Sequence, residues 1–61
     1  MRTPTYRDLI PEIDRARRRA REEGGDELGR AVGWLFEAHP ACTSSNLLHW
    51  VVQHRQECPA P

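Results

Sequence analysis

The chain has no lysine: all nine of its strong bases are arginines. Nine acidic side chains balance them, so the net charge at neutral pH is zero. That balance excludes a domain held to nucleic acid mainly by bulk charge, although a local patch can still act. Arginine-only basicity fits a GC-rich bacterial or phage genome as well as a need for forked guanidinium donors. Two cysteines do not make a disulfide scaffold. The longest nearly apolar stretch, Ala31 to Phe36, falls far short of the roughly 20 residues that cross a bilayer. No apolar run follows the opening Met1-Arg2-Thr3-Pro4, which predicts the absence of a secretory leader and a cytoplasmic protein without membrane contact. Internal repeats, strand-like alternation and a glycine-rich phosphate loop are missing too.

A chain of 61 residues has room for one domain and one small core. At this size only about 60% of the unfolded surface is hidden on folding, so the stability margin is thin and a partner would help. Fourteen large apolar side chains are available to build the core. Their spacing predicts an all-α fold: a three-helix bundle spanning 1–61, with residues 1–4 and 59–61 loose.

The first helical segment runs from about Thr5 to Glu23. Tyr6, Leu9, Ile10, Ile13, Ala16, Arg17 and Ala20 fall on one stripe at about 100° per residue. Pro11 interrupts it, which predicts a short turn over Thr5–Leu9 and a main helix from Pro11, where a missing N–H is tolerated in the first turn. Glu22 and Glu23 oppose the C-terminal dipole, and Gly24-Gly25 end the segment. Asp26 is a good N-cap for the second helix, which closes before Pro40. Its wheel is apolar or small round most of its girth: Leu28, Val32, Leu35 and His39 on one face, Gly29, Gly33 and Phe36 on the next, Ala31, Trp34 and Ala38 on the other flank. Such a helix is usually covered on several sides. We therefore expect the segment at about 27–39 to be central. The third helix starts after Thr43-Ser44-Ser45-Asn46, any of which can cap it, and ends near Glu57. Leu47, Leu48, Val51 and Val52 form its expected core face.

Trp34 lies well round from the Leu28/Val32/Leu35 face, and Trp50 sits at the edge of its own helix's stripe. Aromatic side chains dominate the energetic centres of interfaces. We therefore take Trp34 as the first partner-binding candidate, supported by Trp50, Phe36, Arg30 and Ala38. Gly29-x-x-x-Gly33 has a dimerisation meaning in membranes; in a soluble helix it predicts a tight crossing inside the bundle. The arginine run over residues 15–21 reads mainly as a solvated charged face, because Asp14, Glu22 and Glu23 flank it and can pair with Arg18 and Arg19 at i,i+4 spacing; attraction of Arg15, Arg18 and Arg19 to an acidic protein partner or to nucleic acid is the alternative.

A DNA-binding alternative would use the second and third helices as a helix-turn-helix. Arg15, Arg18 and Arg19 would then contact phosphates, and Ser45, Asn46, His49 and Gln53 would read base edges. The break His39–Thr43 is longer than the usual three- or four-residue turn. A lesser alternative is a zinc module, because His39-x2-Cys42-x11-His54-x3-Cys58 resembles a small zinc finger with its ligand types permuted. A helix beginning at Ser44 separates Cys42 from His54 by roughly 15–18 Å, too far for one ion. The same length disfavours a Cys42–Cys58 disulfide. We expect Cys58 near the core and Cys42 in the loop, with His39 as a helix-end cation. Nothing implies a cofactor, and no Ser/His/Asp set can be placed together for catalysis. The expected function is that of a small non-enzymatic interaction module, a regulator or inhibitor or a minor subunit of a complex, partnered by another protein or by itself as a homodimer.

Overall fold

The computed structural model describes residues 3–58. Of the ends expected to be loose, 1–4 and 59–61, residues 1–2 and 59–61 lie outside the described residues, and Thr3 and Pro4 precede the first helix without secondary structure of their own. Three helices pack against one another: α1 (Tyr6–Glu23), α2 (Glu27–Ala38) and α3 (Ser44–Glu57). The fold is the all-α three-helix bundle that the periodicity predicts.

In α1, the short turn followed by a main helix from Pro11 is corrected. The helix runs unbroken from Tyr6. Its start is set by a capping box. The Thr5 hydroxyl accepts from the Asp8 backbone N–H, and the Asp8 carboxylate accepts from the Thr5 N–H at 3.0 Å, satisfying donors that a helix N-terminus otherwise leaves open. Pro11 is then the sixth helical residue, and the hydrogen bond it withholds belongs to the carbonyl of Arg7, an exposed residue. The capping box and the buried pair Leu9/Ile13 outweigh that loss.

Gly24 and Gly25 carry φ of +78° and +83°, a region that a β-carbon makes costly. The Gly24 N–H closes α1 on the carbonyls of Ala20 and Arg21. Chain direction reverses within three residues, and Glu27 begins α2. Asp26 occupies the N-cap position but makes no side-chain cap bond. Thr43, first of the four candidates, caps α3 by accepting from the Asn46 N–H at 3.2 Å.

Leu9, Ile13 and Ala16 of α1, Ala31 and Leu35 of α2, and Leu47 and Val51 of α3 form the core. Cys42 joins them from the α2–α3 loop, where its N–H bonds to the His39 carbonyl. The expected burial of the two thiols is therefore reversed: Cys42 is buried and Cys58 exposed. The face of α3 is also rotated from expectation. Leu47, Val51 and His54 are buried, whereas Leu48 is exposed and Val52 only half-buried. Leu48 and Val52 lie about 100° and 140° round from Leu47 at 100° per residue, and the two neighbouring helices do not reach that far.

The helix α2 is covered on two flanks. α1 approaches the Trp34 side, where Arg19 stacks on the ring, and α3 approaches the Leu28/Val32 side, where an open groove remains between α2 and α3. Gly29 and Gly33 are exposed, and a β-carbon at Gly33 would meet nothing within 4 Å. The expected tight internal crossing at Gly29-x-x-x-Gly33 is thus corrected, because both partner helices are spent on the larger side chains.

Candidate interaction surface

A polar knot closes one end of the bundle. Arg17 is 4% exposed and His54 2%. The Arg17 Nε donates to Glu27 Oε1 at 2.8 Å, while its Nη1 donates to His54 Nδ1 at 2.8 Å and to the Cys58 carbonyl at 2.9 Å. A guanidinium can only donate, so Nδ1 of His54 is an acceptor and the ring is neutral with its proton on Nε2. Burial and the Arg17 charge together hold His54 below the ordinary histidine pKa. Arg21 adds a bond to the other Glu27 oxygen at 3.3 Å, and the Arg17 hydrogen bond keeps the Glu27 carboxyl below its usual range. One α1 side chain thereby ties the start of α2 to the end of α3. Of the five arginines in the 15–21 run, Arg17 is interior rather than part of a solvated face. Its place in the stripe with Ile13 and Ala20 was the available signal.

Two further ties are polar. His39 Nε2 lies 2.8 Å from Glu12 Oε2, so this side chain engages α1 rather than only the last carbonyls of its own helix. The Tyr6 hydroxyl donates to Glu57 at 2.7 Å. The four residues of the zinc-like pattern are not assembled. His39 faces Glu12, Cys42 is in the core, His54 is held by Arg17, and Cys58 is exposed. Among the described residues no group of three or more His, Cys, Asp or Glu side chains is arranged to hold a metal.

Trp34 is half-buried against the core, and the Arg19 guanidinium stacks 4.6 Å from its ring centroid. Arg19 is held there by Glu23 at 3.2 Å. Trp50 is likewise half-buried and packed on the core. Arg30 and Ala38 are exposed. Among the nucleic-acid candidates, Ser45, Asn46 and His49 are exposed, but Gln53 bonds to Glu57. Arg18 pairs with Asp14 at 3.1 Å, and Arg19 is engaged as described; Arg15 is exposed. Two of the three phosphate candidates therefore already carry an acid within their own helix.

The apolar surface lies elsewhere. Phe36 and Leu48 are 44% and 45% exposed. An open groove of about 460 Å³ runs between α2 and α3, lined by Leu28, Gly29, Val32 and Leu48, with Asp26, Ser44 and Ser45 at its rim. Phe36 continues the α2 side of the groove one turn beyond Val32. Phe36 was among the sequence candidates; Leu48 was not, because its spacing assigned it to the core. The described helices include none long and apolar enough to cross a membrane. No protein-family model, curated protein or solved structure matches the chain.

Proposed function

We propose that this chain is a small non-enzymatic protein–protein interaction module, a regulator, inhibitor or minor subunit, that binds through the apolar face between α2 and α3. The supporting observation is that exposed Leu48 lines an open, largely apolar groove and that exposed Phe36 lies one helical turn beyond its lining residue Val32, on a domain with few apolar side chains to spare. Contiguous exposed apolar surface marks interaction sites more often than accident. On this reading Trp34 is a structural side chain beneath Arg19, and the anchor role passes to Phe36 and Leu48. A cytoplasmic location and a bacterial or phage origin belong to the same proposal. The DNA-binding alternative draws less support, because Arg18 and Arg19 are neutralised by Asp14 and Glu23.

A photo-crosslinking residue placed at position 36 in the full chain, and separately at Arg15 as a control, tests the proposal in the producing cell. A discrete polypeptide adduct is expected at 36 and not at 15, and Leu48→Glu should diminish it. Equal labelling at the two positions, or none at 36, would overturn the reading.

A further inference from the structure

We infer that the occupant of this face is a second copy of the chain, docked with the two α2 helices antiparallel about a two-fold axis near Gly33. The inference rests on the reading that the α2–α3 face binds protein. What selects a second copy is the unlike character of the two flanks of the stripe, one charged and one apolar. Taking Gly29 as zero and 100° per residue, Gly33 and Phe36 fall within about 40° of it. Arg30 and Glu37 lie together on one flank, about 80–100° round. Leu28 and Val32 occupy the other, beside Leu48 of α3. The two flanks are therefore unlike: one is a cation and an anion two turns apart, the other apolar.

An isologous interface must be complementary to itself. In an antiparallel pair each flank meets the same flank of the partner. Rotation about an axis near Gly33 carries residue 30 of one copy opposite residue 36 or 37 of the other. Arg30 of each copy then faces Glu37 of the second, twice over by symmetry. On the opposite flank the apolar side formed by Leu28, Val32 and Leu48 meets the same apolar side of the second copy, with Val32 nearest the axis. Phe36 enters the space beside Arg30 and Gly33 of the second copy, where the absence of a side chain at Gly33 leaves the surface open, while the Asp26 carboxylate fills the space beside Gly29. A parallel pairing would instead set the charged flank against the apolar one, leaving both charges without partners as they are desolvated. Within the single chain these charges are weakly engaged. Arg30 reaches Glu23 at only 4.0 Å, and Glu37 is exposed with no ion pair among the described residues.

Sedimentation equilibrium of the full chain, from low micromolar to millimolar concentration, tests this pairing. Wild type is expected to dimerise. Glu37→Arg sets two arginine pairs against each other and should raise the dimer dissociation constant about tenfold or more, since like charges across an interface oppose association. The exchange Arg30→Glu with Glu37→Arg should restore it to within about threefold of wild type. Phe36→Glu should give a monomer. All three positions are exposed, and far-UV dichroism with a melting curve checks that each variant folds. A protein that stays monomeric throughout, or a dimer whose affinity ignores Glu37→Arg, overturns the inference. The crosslink at position 36 separates the two failures. A monomer that yields an adduct with a different polypeptide overturns self-pairing and leaves the binding reading standing, whereas a monomer with no adduct removes both.

Discussion

Nη1 of Arg17 lies 2.8 Å from Nδ1 of His54, across 37 residues of chain, with both side chains almost wholly buried. This contact makes a charged residue part of the core of a very small domain. Burying a guanidinium without partners is costly; here Glu27, His54 and the Cys58 carbonyl engage Nε and Nη1, while the buried Nη2 has no hydrogen-bond partner among the described residues. The hydrogen bonds do not so much add stability as make this particular packing of three helices the one that satisfies them.

Removing the guanidinium leaves Glu27 and the buried His54 facing a hole. Arg17→Ala is expected to lose about 2–4 kcal/mol of stability. In so small a domain each kcal/mol moves the melting temperature by about 4–8 °C, so the loss is read directly in thermal unfolding. Arg17→Met, which fills the space without a charge, should lose less than Arg17→Ala. A loss below about 1 kcal/mol for Arg17→Ala, a typical value for any substitution, would show that the knot is not a structural element.

The same knot sets an acid limit. His54 binds its proton less readily in the fold than the ordinary value of 6.5, so unfolding takes up a proton as pH falls below 6.5. Its contribution to stability is complete above 6.5 and is lost as pH falls toward the lowered folded value. Glu27 and Asp8 are also held low, by the hydrogen bonds from Arg17 and from the Thr5 backbone, and their contributions go at still lower pH. On the alkaline side, burial and the bond to Glu57 push Tyr6 from 10.0 up to about 12, so its contribution falls away as pH rises from 10 to 12. Melting temperatures should therefore be highest between pH 6.5 and 10 and decline on both sides. His54→Gln should flatten the slope just below pH 6.5; an unchanged slope would assign it to another group.

Pro11 sits beyond the first turn of α1, where it removes a backbone hydrogen bond on an exposed surface. Pro11→Ala is expected to stabilise the domain by about 1–3 kcal/mol, because alanine restores that bond and has the higher helix propensity. Thr5→Ala should cost about 1 kcal/mol by opening the capping box. Urea titrations of both variants check these signs, and a destabilising Pro11→Ala would mean that the proline contributes contacts outweighing the bond.

Arg19 shields Trp34. Arg19→Ala should cost about 0.5–1 kcal/mol, the scale of an exposed cation–π contact, and should make Trp34 more open to acrylamide. Measured in a Trp50→Phe background, fluorescence quenching then reports Trp34 alone. Unchanged quenching would mean that the stacking does not cover the ring in solution.

Local chemistry made much of this protein legible as text. The apolar spacing of Leu9, Ile13, Ala16 and Ala20 follows from helix geometry, and Gly24-Gly25 stop α1 because positive φ suits glycine. Asp26 and Thr43 mark the next two starts, since a helix N-terminus asks for short polar side chains. These features depend on residues a few positions apart, so sequence alone determined three helices and their approximate limits. Phe36 was also visible as a candidate. Which side of each helix is covered is a different kind of question. Leu48 and Val52 match Leu47 and Val51 in apolarity, and Trp34 is no less exposed on the wheel than Phe36. Only the angle at which three helices meet decided that Trp34 lies under Arg19 while Phe36 and Leu48 remain outside. The same angle drew Cys42 inward and left Gly33 open. It also brought Arg17, Glu27 and His54 together, because burying a charge becomes acceptable only when its partners converge from distant parts of the chain.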